Sequence, residues 1–521
     1  MSGGALVSHR APLAPILLLL GAPGAAQDAN LVANPGFEAV ADGAIQQWTL
    51  PSYWVGEVAS AADPAQVHGG SRAALLRAAP GDDGKHWARI HNVQAAASFG
   101  LQYRLSVWAK GQGDLRLGVI NYRPDRPGLE PYTWTWQDAA LRLAEDWQST
   151  SLEFTPTDVN VDRVTAAINL EGEGARAYLD DVALEVVRRG EGRITVSPPY
   201  AMVRVGERLV FTLEGTEGER PAASGPVQAL VRDPEAPRAE PLALDAGGRA
   251  IYEVTAARAG LTEVAFVVGD LGAMATANVD AVSEETYQAF ADAASATELG
   301  PLPAHLLFLG DSLTDFHRGW NYVDQVGFWL REARGEQVTV RNAGVGGDYI
   351  TRVWQRLSGD PSAYRAPMYD RLFEPRPTHV LVFLGHNDTK LTSGSGFTEA
   401  VVSPGDFEAL FRSAIERIRA ETGARITLLS STSSVYEITK PNAEKLLETR
   451  GSASLFGKPE VLEQYNALLR RIAEETDCAY LDVYDPTRRH PDKASLFMTD
   501  GVHLNLEGNH LIALEVLRAL R

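Results

Sequence analysis

The chain has 521 residues, of which 45% are hydrophobic, and its formal net charge at pH 7 is −19. This length exceeds what one hydrophobic core supports and predicts about two to four domains, while the acidic charge argues against nucleic acid or an anionic membrane as a partner. Because Cys478 is the single cysteine, an intrachain disulfide and zinc sites built from several cysteines are excluded.

Residues 1–26 have the pattern of a secretory signal peptide. Arg10 precedes the apolar run PLAPILLLLGAPGAA, and the small residues Gly24 and Ala26 stand where a signal peptidase would cut. The run is too short to span a bilayer comfortably, so we expect a secreted or periplasmic protein with no integral membrane span after cleavage. The alternative is a membrane anchor retained at the N-terminus.

Residues 27–188 predict a β-sandwich of the jelly-roll type. Strand-length runs such as YRLSVWAKG, DLRLGVINY and YLDDVALEVV alternate or run apolar between turn residues. The opening NLVANPGFE (30–38) and the closing AYLDDVALEV (177–186) resemble the ends of galactose-binding-like carbohydrate-binding modules. That resemblance implies a sugar-binding role for the module.

Seven of the ten tryptophans lie in this module, which fits a sugar-binding surface because indole rings offer broad platforms to the C–H faces of sugars. YTWTW (132–136) puts Trp134 and Trp136 on one face of an extended strand, and these two residues are our candidates for a sugar platform. The alternative is that most of the tryptophans are core or structural residues, which we expect for Trp108 at the end of an alternating run.

Glu38 and Asp180 fall at the two ends of the same module, where related folds often hold a structural calcium ion. Carboxylates are hard oxygen ligands of the kind that calcium prefers. We expect Asp180 to face inward, and an inward carboxylate needs a compensating partner. A structural calcium site and hydrogen-bonded acids are both open readings of this pair, and neither implies calcium in catalysis.

A second β region covers residues 192–282. Runs such as ERLVFTLEG and TEVAFVVGD predict a small immunoglobulin-like sandwich, and the absence of a recognisable catalytic cluster favours a spacer. The stretch from Ser283 to Glu298 then predicts a short helix with a serine cap, within a helical linker at 283–300.

From residue 301 to residue 521 strands and helices alternate, which predicts a three-layer α/β/α domain with a parallel sheet. Predicted strands are 306–309, 338–340, 380–384, 426–429 and 479–483. Polar motifs follow them: GDS at 310–312, NAGVGGD at 342–348, GHND at 385–388 and DGVH at 500–503. Because open α/β folds keep their sites at the carboxyl ends of strands, Ser312 is a candidate nucleophile.

In this order, the four motifs resemble those of the SGNH (GDSL) hydrolases, over the whole of residues 301–521. The resemblance implies a nucleophile at Ser312, a backbone oxyanion donor at Gly347, a side-chain oxyanion donor at Asn387, and the acid and base at Asp500 and His503. NAGVGGDYITRVWQRL is similar to the platelet-activating-factor acetylhydrolase branch, whose donor aligns with Gly347.

The chemistry of these residue types agrees with the roles. A serine hydroxyl becomes a nucleophile when a neutral imidazole takes its proton, and an acid three residues before the histidine can orient the ring. His386 and Asp388 are expected at the rim and in the loop of the site, and His510 in the final helix. A metal-dependent esterase built from His386, Asp388, Asp500 and His503 is the alternative, although their spacing matches no ligand motif.

The resulting expectation is a secreted serine esterase that removes small acyl groups, most often acetyl, from a polysaccharide without a catalytic cofactor. The runner-up is a secreted lipase or lysophospholipase, which should carry an apolar lid, whereas the loop 391–404 is rich in serine, glycine and threonine. A third hypothesis, a glycan-binding protein without catalysis, requires that the intact motifs have lost their activity.

Overall fold

The computed structural model describes residues 30–41, 43–50, 55–81, 84–99, 101–122, 132–157, 161, 163–187, 192–223, 225–233, 237–269 and 273–520. The expected signal peptide, residues 1–26, lies outside the described residues. Within these ranges, no helix is both long enough and apolar enough to cross a membrane.

The chain forms two compact units. The first comprises the residues up to Ser197 together with Phe211–Tyr252 and Glu263–Thr276, and the second comprises Pro198–Val210, Glu253–Thr262 and the residues from Ala277 onward.

The first β region contains β1 (Val40–Ala41), β2 (Ala44–Ile45), β3 (Trp48–Thr49), β4 (Glu57–Ala61), β5 (Ala73–Arg77), β6 (Ala79–Pro80), β7 (His86–Asn92), β8 (Ala95–Ala96), β9 (Tyr103–Tyr122), β10 (Tyr132–Trp136), β11 (Leu141–Arg142), β12 (Gln148–Phe154) and β13 (Arg163–Val186). The second contains β14 (Gly192–Ser197), β15 (Tyr200–Arg204), β16 (Arg208–Glu217), β17 (Arg220–Pro221), β18 (Pro226–Arg232), β19 (Arg238–Ala243), β20 (Arg249–Thr255), β21 (Gly260–Val268) and β22 (Ala273–Val282).

The C-terminal strands are β23 (Ala304–Gly310), β24 (Val338–Asn342), β25 (His379–Phe383), β26 (Leu391–Thr392), β27 (Arg425–Leu429), β28 (Ser454–Leu455) and β29 (Ala479–Leu481). The α-helices are α1 (Glu284–Ser295), α2 (Ser312–Asp315), α3 (Tyr322–Arg334), α4 (Ile350–Leu357), α5 (His386–Thr389), α6 (Pro404–Thr422), α7 (Tyr436–Arg450), α8 (Pro459–Glu475), α9 (Tyr484–Arg488) and α10 (Leu506–Ala519).

The long antiparallel pair β9 and β13 forms the centre of the first unit. Their register runs from Arg163 opposite Tyr122 to Val186 opposite Tyr103. Strand alternation sends Leu105 and Val107 into the core, where both are fully buried. The antiparallel β architecture expected for the N-terminal region is confirmed.

Trp108 lies outside the core of the first unit. The side chains on either side of it in β9 point inward, so Trp108 itself points outward and is 37% exposed. Its ring stacks on His68, with the ring centroids 4.2 Å apart. Of the core or structural position expected for Trp108, the core position is therefore wrong, because the period of two assigns the residue to the opposite face, whereas the stacking fits a structural position.

The strands between residues 192 and 282 contribute to both units. In the first unit β14 pairs with β16, and β18 pairs with β19 and β21, all antiparallel. In the second unit β15 pairs in parallel with the end of β22. The immunoglobulin-like architecture of this region and the predicted domain boundaries remain predictions.

A parallel sheet with the order β24-β23-β25-β27-β29 organises the second unit. Leu306 and Phe308 of β23 face a core built with α1, α3 and α10, whereas Leu307 and Leu309 face a core built with α4, α6 and α8. Both faces of the strand are covered, which explains its unbroken apolar run. The predicted three-layer α/β/α fold is confirmed.

Helix α1 is built into the core of this unit. Ser283 caps it by accepting the N–H of Thr286 at 3.1 Å, as the sequence predicts. Phe290 is buried and stacks on Trp329 of α3, with centroids 5.9 Å apart. The helix therefore packs as part of the second unit.

Candidate active site

Three neighbouring strands bring the predicted catalytic loops together. The sheet order reverses at β23, which lies between β24 and β25, and such a switch point opens a crevice at the carboxyl ends of the strands. Ser312 follows β23, Gly347 follows β24 and Asn387 follows β25. The topology thus explains why residues from three distant motifs meet at one edge of the sheet.

The turn into Ser312 requires a glycine. A β-carbon on Gly310 would collide with the side chain of Thr314 and would lie 2.9 Å from the carbonyl oxygen of Phe383. Asp311 then caps α2, since its Oδ1 accepts the N–H of Leu313 at 2.9 Å. The turn leaves Ser312 as the first residue of the helix at the sheet edge.

Ser312, His503 and Asp500 form one chain of hydrogen bonds. Nε2 of His503 lies 2.8 Å from Oγ of Ser312, and Nδ1 of His503 lies 2.6 Å from Oδ2 of Asp500. The other oxygen of Asp500 accepts the backbone N–H of Val502 at 2.8 Å and that of His503 at 3.0 Å. Asp500 therefore holds both the backbone turn at residues 500–503 and the imidazole ring of His503 in place.

The electrostatics of Asp500 suit this arrangement. Burial raises its pKa, but the hydrogen bond and the charge of His503, together with the backbone N–H groups, outweigh burial and leave the pKa below its ordinary value. The carboxylate is therefore ionised at neutral pH. It can orient the Nδ1–H tautomer of His503 and stabilise an imidazolium.

Three donors are predicted to bind an oxyanion, namely the N–H groups of Ser312 and Gly347 and the carboxamide of Asn387. Among the described residues, neither the N–H of Ser312 nor that of Gly347 has a hydrogen-bond acceptor. Gly347 has φ +80°, which favours glycine, and Gly346 ties the loop down by donating its N–H to Asp315 at 2.8 Å. The third donor is the carboxamide of Asn387, which is 6% exposed.

Two buried carboxyl groups, those of Asp311 and Asp388, accept backbone N–H groups in this part of the structure. Burial raises the pKa of Asp311 to about 6 and that of Asp388 to about 7. Asp311 lies 3.4 Å from Nδ2 of Asn387. Asp388 accepts the N–H of Ile350 at 2.9 Å and so links the loop after β25 to the first residue of α4.

His386 is buried and hydrogen-bonded away from the serine. Its Nε2 accepts the backbone N–H of Thr432 at 3.1 Å, and burial lowers its pKa to about 3, so the ring is neutral. His386 therefore lies in the interior and not at the rim that the sequence predicts for it. In the described ranges, no three histidine, cysteine or acidic side chains stand together as a metal site. The geometry thus gives the metal-dependent alternative no support.

His510 lies in a separate buried network. Its Nε2 is 2.6 Å from Oδ2 of Asp280, which also accepts the hydroxyl of Tyr200 at 2.8 Å. Burial lowers the pKa of His510, but the hydrogen bonds and charges of Asp280 and Glu507 outweigh it and raise the pKa to about 9. His510 is therefore a charged structural residue of α10.

Several residues around the serine belong to none of the four sequence motifs. Phe316 stacks on His503 with centroids 4.7 Å apart, and it follows Ser312 by one helical turn, a spacing that could have pointed to it. His317 stacks on Trp320 and contacts the exposed Met498. These four side chains form an apolar rim, which no motif announces because its members come from two distant segments.

The two predicted platform tryptophans lie side by side in the first unit. Trp134 and Trp136 stack with centroids 4.8 Å apart and an interplanar angle of 7°, and both are half-buried. The guanidinium carbon of Arg89 lies 5.2 Å from one ring centroid and 4.8 Å from the other. The pair thus forms a partly exposed aromatic surface with a cation against it.

Glu38 and Asp180 both bind the loop 68–72. Glu38 accepts the N–H and the hydroxyl of Ser71 and the N–H of Arg72 at 2.6–3.1 Å. Asp180, fully buried, accepts the N–H groups of His68 and Gly69 at 2.9 and 3.0 Å. These contacts form a clasp between the two acids and the loop, which fits the reading of the pair as hydrogen-bonded acids. Calcium binding remains a prediction.

Comparison with known proteins agrees with the four motifs. Residues 308–511 match the model of the GDSL-like Lipase/Acylhydrolase family. No match was found among curated proteins.

Solved structures similar to parts of the chain are of two kinds. A lipase/acylhydrolase from Enterococcus faecalis is 19% identical over 41% of this chain and 94% of that chain, with a TM-score of 0.31. The CBM22-1 xylan-binding domain of Xyn10C from Paenibacillus barcinonensis is 15% identical over 32% and 98% of the two chains, with a TM-score of 0.24. TmCBM61, solved in complex with beta-1,4-galactotriose, is 16% identical over 30% and 99%, with a TM-score of 0.22. The family match thus covers residues 308–511, the C-terminal part of the chain, and it supports a hydrolase that acts on esters.

Proposed function

We propose that this protein is a secreted or periplasmic serine esterase that removes small acyl groups, in the first place acetyl, from a polysaccharide. The observation that carries the proposal is the hydrogen-bonded series Ser312, His503 and Asp500, with separations of 2.8 and 2.6 Å. The location outside the cytoplasm rests on the signal-like pattern of residues 1–26.

The first half-reaction forms an acyl-enzyme. Oγ of Ser312 attacks the ester carbonyl carbon while its proton passes to Nε2 of His503, and Asp500 stabilises the resulting imidazolium. The tetrahedral intermediate then collapses. The bond to the sugar oxygen breaks, and this oxygen leaves with the proton from His503, which frees the sugar hydroxyl.

The second half-reaction is hydrolysis of the acyl-serine. His503 takes a proton from water, the hydroxide attacks the carbonyl carbon, and the bond to Oγ breaks as Ser312 regains its proton. In both halves the oxyanion is held by the N–H groups of Ser312 and Gly347 and by the carboxamide of Asn387. Removal of one such donor typically costs about 3 kcal/mol of transition-state stabilisation.

A glycan substrate is supported by the N-terminal module. Its partly exposed pair Trp134 and Trp136 offers a flat aromatic surface of the kind that sugar rings stack on. A small acyl group is supported by the loop 391–404, which is rich in serine, glycine and threonine, pairs through the short ladder β26–β28 and buries Leu391 and Val402. The aromatic surface is a chemical feature of the module, and such a feature supports a substrate class more strongly than a shared fold does.

The test is a substrate screen on the full chain. Acetate release from O-acetylated polysaccharides is compared with hydrolysis of 4-nitrophenyl esters of graded acyl length, and Ser312→Ala serves as the control. The proposal expects Ser312-dependent acetate release from a glycan and a preference for short acyl chains. A preference for chains of eight carbons or more would favour the lipase or lysophospholipase instead.

A further inference from the structure

A cation contacts each of the two predicted oxyanion donors that follow β24 and β25. Nζ of Lys390 lies 3.4 Å from Oδ1 of Asn387. Nη1 of Arg352 donates to the carbonyl oxygen of Gly347 at 3.2 Å. Positive charge therefore borders the catalytic crevice on the side of both donors.

A third cation extends this surface outward. The guanidinium carbon of Arg352 lies 4.9 Å from the ring centroid of Tyr349 and 4.5 Å from that of Tyr364. Arg365 lies 5.4 Å from the same Tyr364 ring, which is 41% exposed. Stacking on aromatic rings holds a guanidinium in place while leaving its N–H edge able to bind a ligand. We call Arg352, Arg365 and Lys390 the cationic rim.

Within the part of the chain that the structure describes, no member of the cationic rim forms an ion pair with a carboxylate. Two arginines nearby in the sequence do, since Arg318 pairs with Asp315 and Arg356 with Asp348. The acids whose charge acts on Lys390 are Asp311 and Asp388, which are fully buried and hydrogen-bonded to the backbone. In a chain of net charge −19, three cations without such a partner at one crevice need another explanation.

Lys390 is costly to keep charged at this position. Burial, and then the neighbouring charge of Arg352, lower its pKa. Like charges held close together repel each other, and an anion bound beside them relieves that repulsion. The arrangement is therefore unfavourable in the free protein and favourable when a negatively charged ligand is bound.

We propose that the cationic rim binds a negatively charged group of the substrate, so that the substrate is an acylated acidic glycan. This inference rests on the proposed esterase function and names its substrate class. Carboxylates of uronic sugars and sulfate esters share the required chemistry, since guanidinium binds both as planar pairs of oxygens. The ester would lie at Ser312 while the anionic group contacts the rim.

The experiment measures kcat/KM of the full chain on four substrates. Three are chemically O-acetylated polymers of galactose type: a neutral galactan, a polygalacturonate and a sulfated galactan. The fourth is 4-nitrophenyl acetate. The inference expects at least one acidic polymer to be hydrolysed about 10-fold faster than the neutral one at low salt, and this advantage to shrink as NaCl rises to 0.5 M.

Substitutions in the cationic rim test whether its residues cause the preference for acidic polymers. Arg365→Gln and Lys390→Met should each lower the ratio of kcat/KM on the acidic polymer to kcat/KM on 4-nitrophenyl acetate by about 10-fold, with partial recovery in Arg365→Lys and Lys390→Arg. Arg417→Gln is the matched control, because Arg417 is an exposed arginine of α6 paired with Glu421. It should leave the ratio unchanged.

The outcomes separate the two proposals. An advantage on the polygalacturonate alone identifies a carboxylate, and one on the sulfated galactan alone identifies a sulfate. Equal rates on all three polymers, or an equal loss on every substrate in the variants, would overturn the anion site and leave the rim cations as positioning residues for the oxyanion donors. Absence of Ser312-dependent hydrolysis on all four substrates would instead count against the proposed function. If a variant misfolds, the salt dependence of kcat/KM measured on the unmodified protein still tests the anion site.

Discussion

Nε2 of His503 lies 2.8 Å from Oγ of Ser312, although 191 positions separate the two residues along the chain. Ser312 follows β23, and His503 precedes α10. The two residues meet because the segments that carry them lie at the same edge of the parallel sheet. The acid Asp500 reaches His503 within a single turn.

Replacing Asp500 by asparagine should lower kcat by roughly 10³- to 10⁴-fold with little change in KM. The asparagine can no longer stabilise the imidazolium and can hold the ring in the wrong tautomer. Steady-state kinetics on 4-nitrophenyl acetate measures the effect. Asp406→Asn is the matched control, because Asp406 is an exposed acid in the first turn of α6. A decrease in kcat of less than 10-fold in the Asp500 variant would show that Asp500 does not have the role proposed for it.

The buried pair His510 and Asp280 predicts a pH-dependent stability. The pKa of His510 is raised from 6.5 to about 9 in the folded protein, so its stabilising contribution is complete below pH 6.5 and is lost as the pH rises through about 9. The contribution is at most on the order of 3 kcal/mol. We expect the thermal midpoint to fall between pH 7 and pH 9.5, and to fall less in His510→Gln.

The control for this experiment is His305→Gln, since His305 is a half-buried histidine of β23 whose Nδ1 lies 2.6 Å from the hydroxyl oxygen of Thr339. It should show the same fall as the unmodified protein. If the fall persists undiminished in His510→Gln, other groups set the pH dependence and the ion pair has no role in it.

The stacked pair Trp134 and Trp136 should concentrate the enzyme on insoluble glycan. The double variant Trp134→Ala/Trp136→Ala is expected to lower retention on an acetylated polysaccharide and the rate of acetate release from it, since a second contact raises the local concentration of catalyst. Hydrolysis of 4-nitrophenyl acetate should stay unchanged. Trp108→Ala is the matched control with an exposed tryptophan stacked elsewhere. Retention lost in the control and kept in the double variant would move the sugar platform to Trp108.

The hydrogen bonds of Glu38 predict how the N-terminal module responds to chelation. Because Glu38 and Asp180 accept N–H groups of the loop 68–72, we expect EDTA to leave the thermal midpoint unchanged, and Glu38→Gln to lower it. Differential scanning fluorimetry with and without added Ca²⁺ measures both effects. A midpoint that falls with EDTA and recovers with Ca²⁺ would establish the calcium site and reject the clasp.

The C-terminal fold could be predicted from the sequence because its signals are local. Apolar runs such as the one before Gly310 are buried on both faces and announce parallel strands, and the polar motifs mark the ends of those strands. Predicted and observed strands accordingly agree within two residues at each end, as in 306–309 against Ala304–Gly310. Ser312, Asp500 and His503 could be proposed because each belongs to such a motif.

The remaining features depend on tertiary neighbours. Trp108 lies at the end of an alternating run, and its parity in β9 places it on the face opposite to Leu105 and Val107. Lys390 and Arg352 look like ordinary cations of helical segments in the sequence, and only the fold places both beside the predicted oxyanion donors. His386 is likewise buried against Thr432, a residue 46 positions away whose backbone N–H and hydroxyl both contact its Nε2.

The proposed mechanism requires Ser312 as its nucleophile. The decisive measurement is peptide mapping by mass spectrometry after the full chain has reacted with a fluorophosphonate, together with the residual esterase activity. The mechanism predicts one phosphonyl adduct, on Ser312, activity that falls in proportion to labelling, and neither labelling nor turnover in Ser312→Ala. Turnover retained in a folded Ser312→Ala protein, or inactivation with the adduct on another residue, would contradict it.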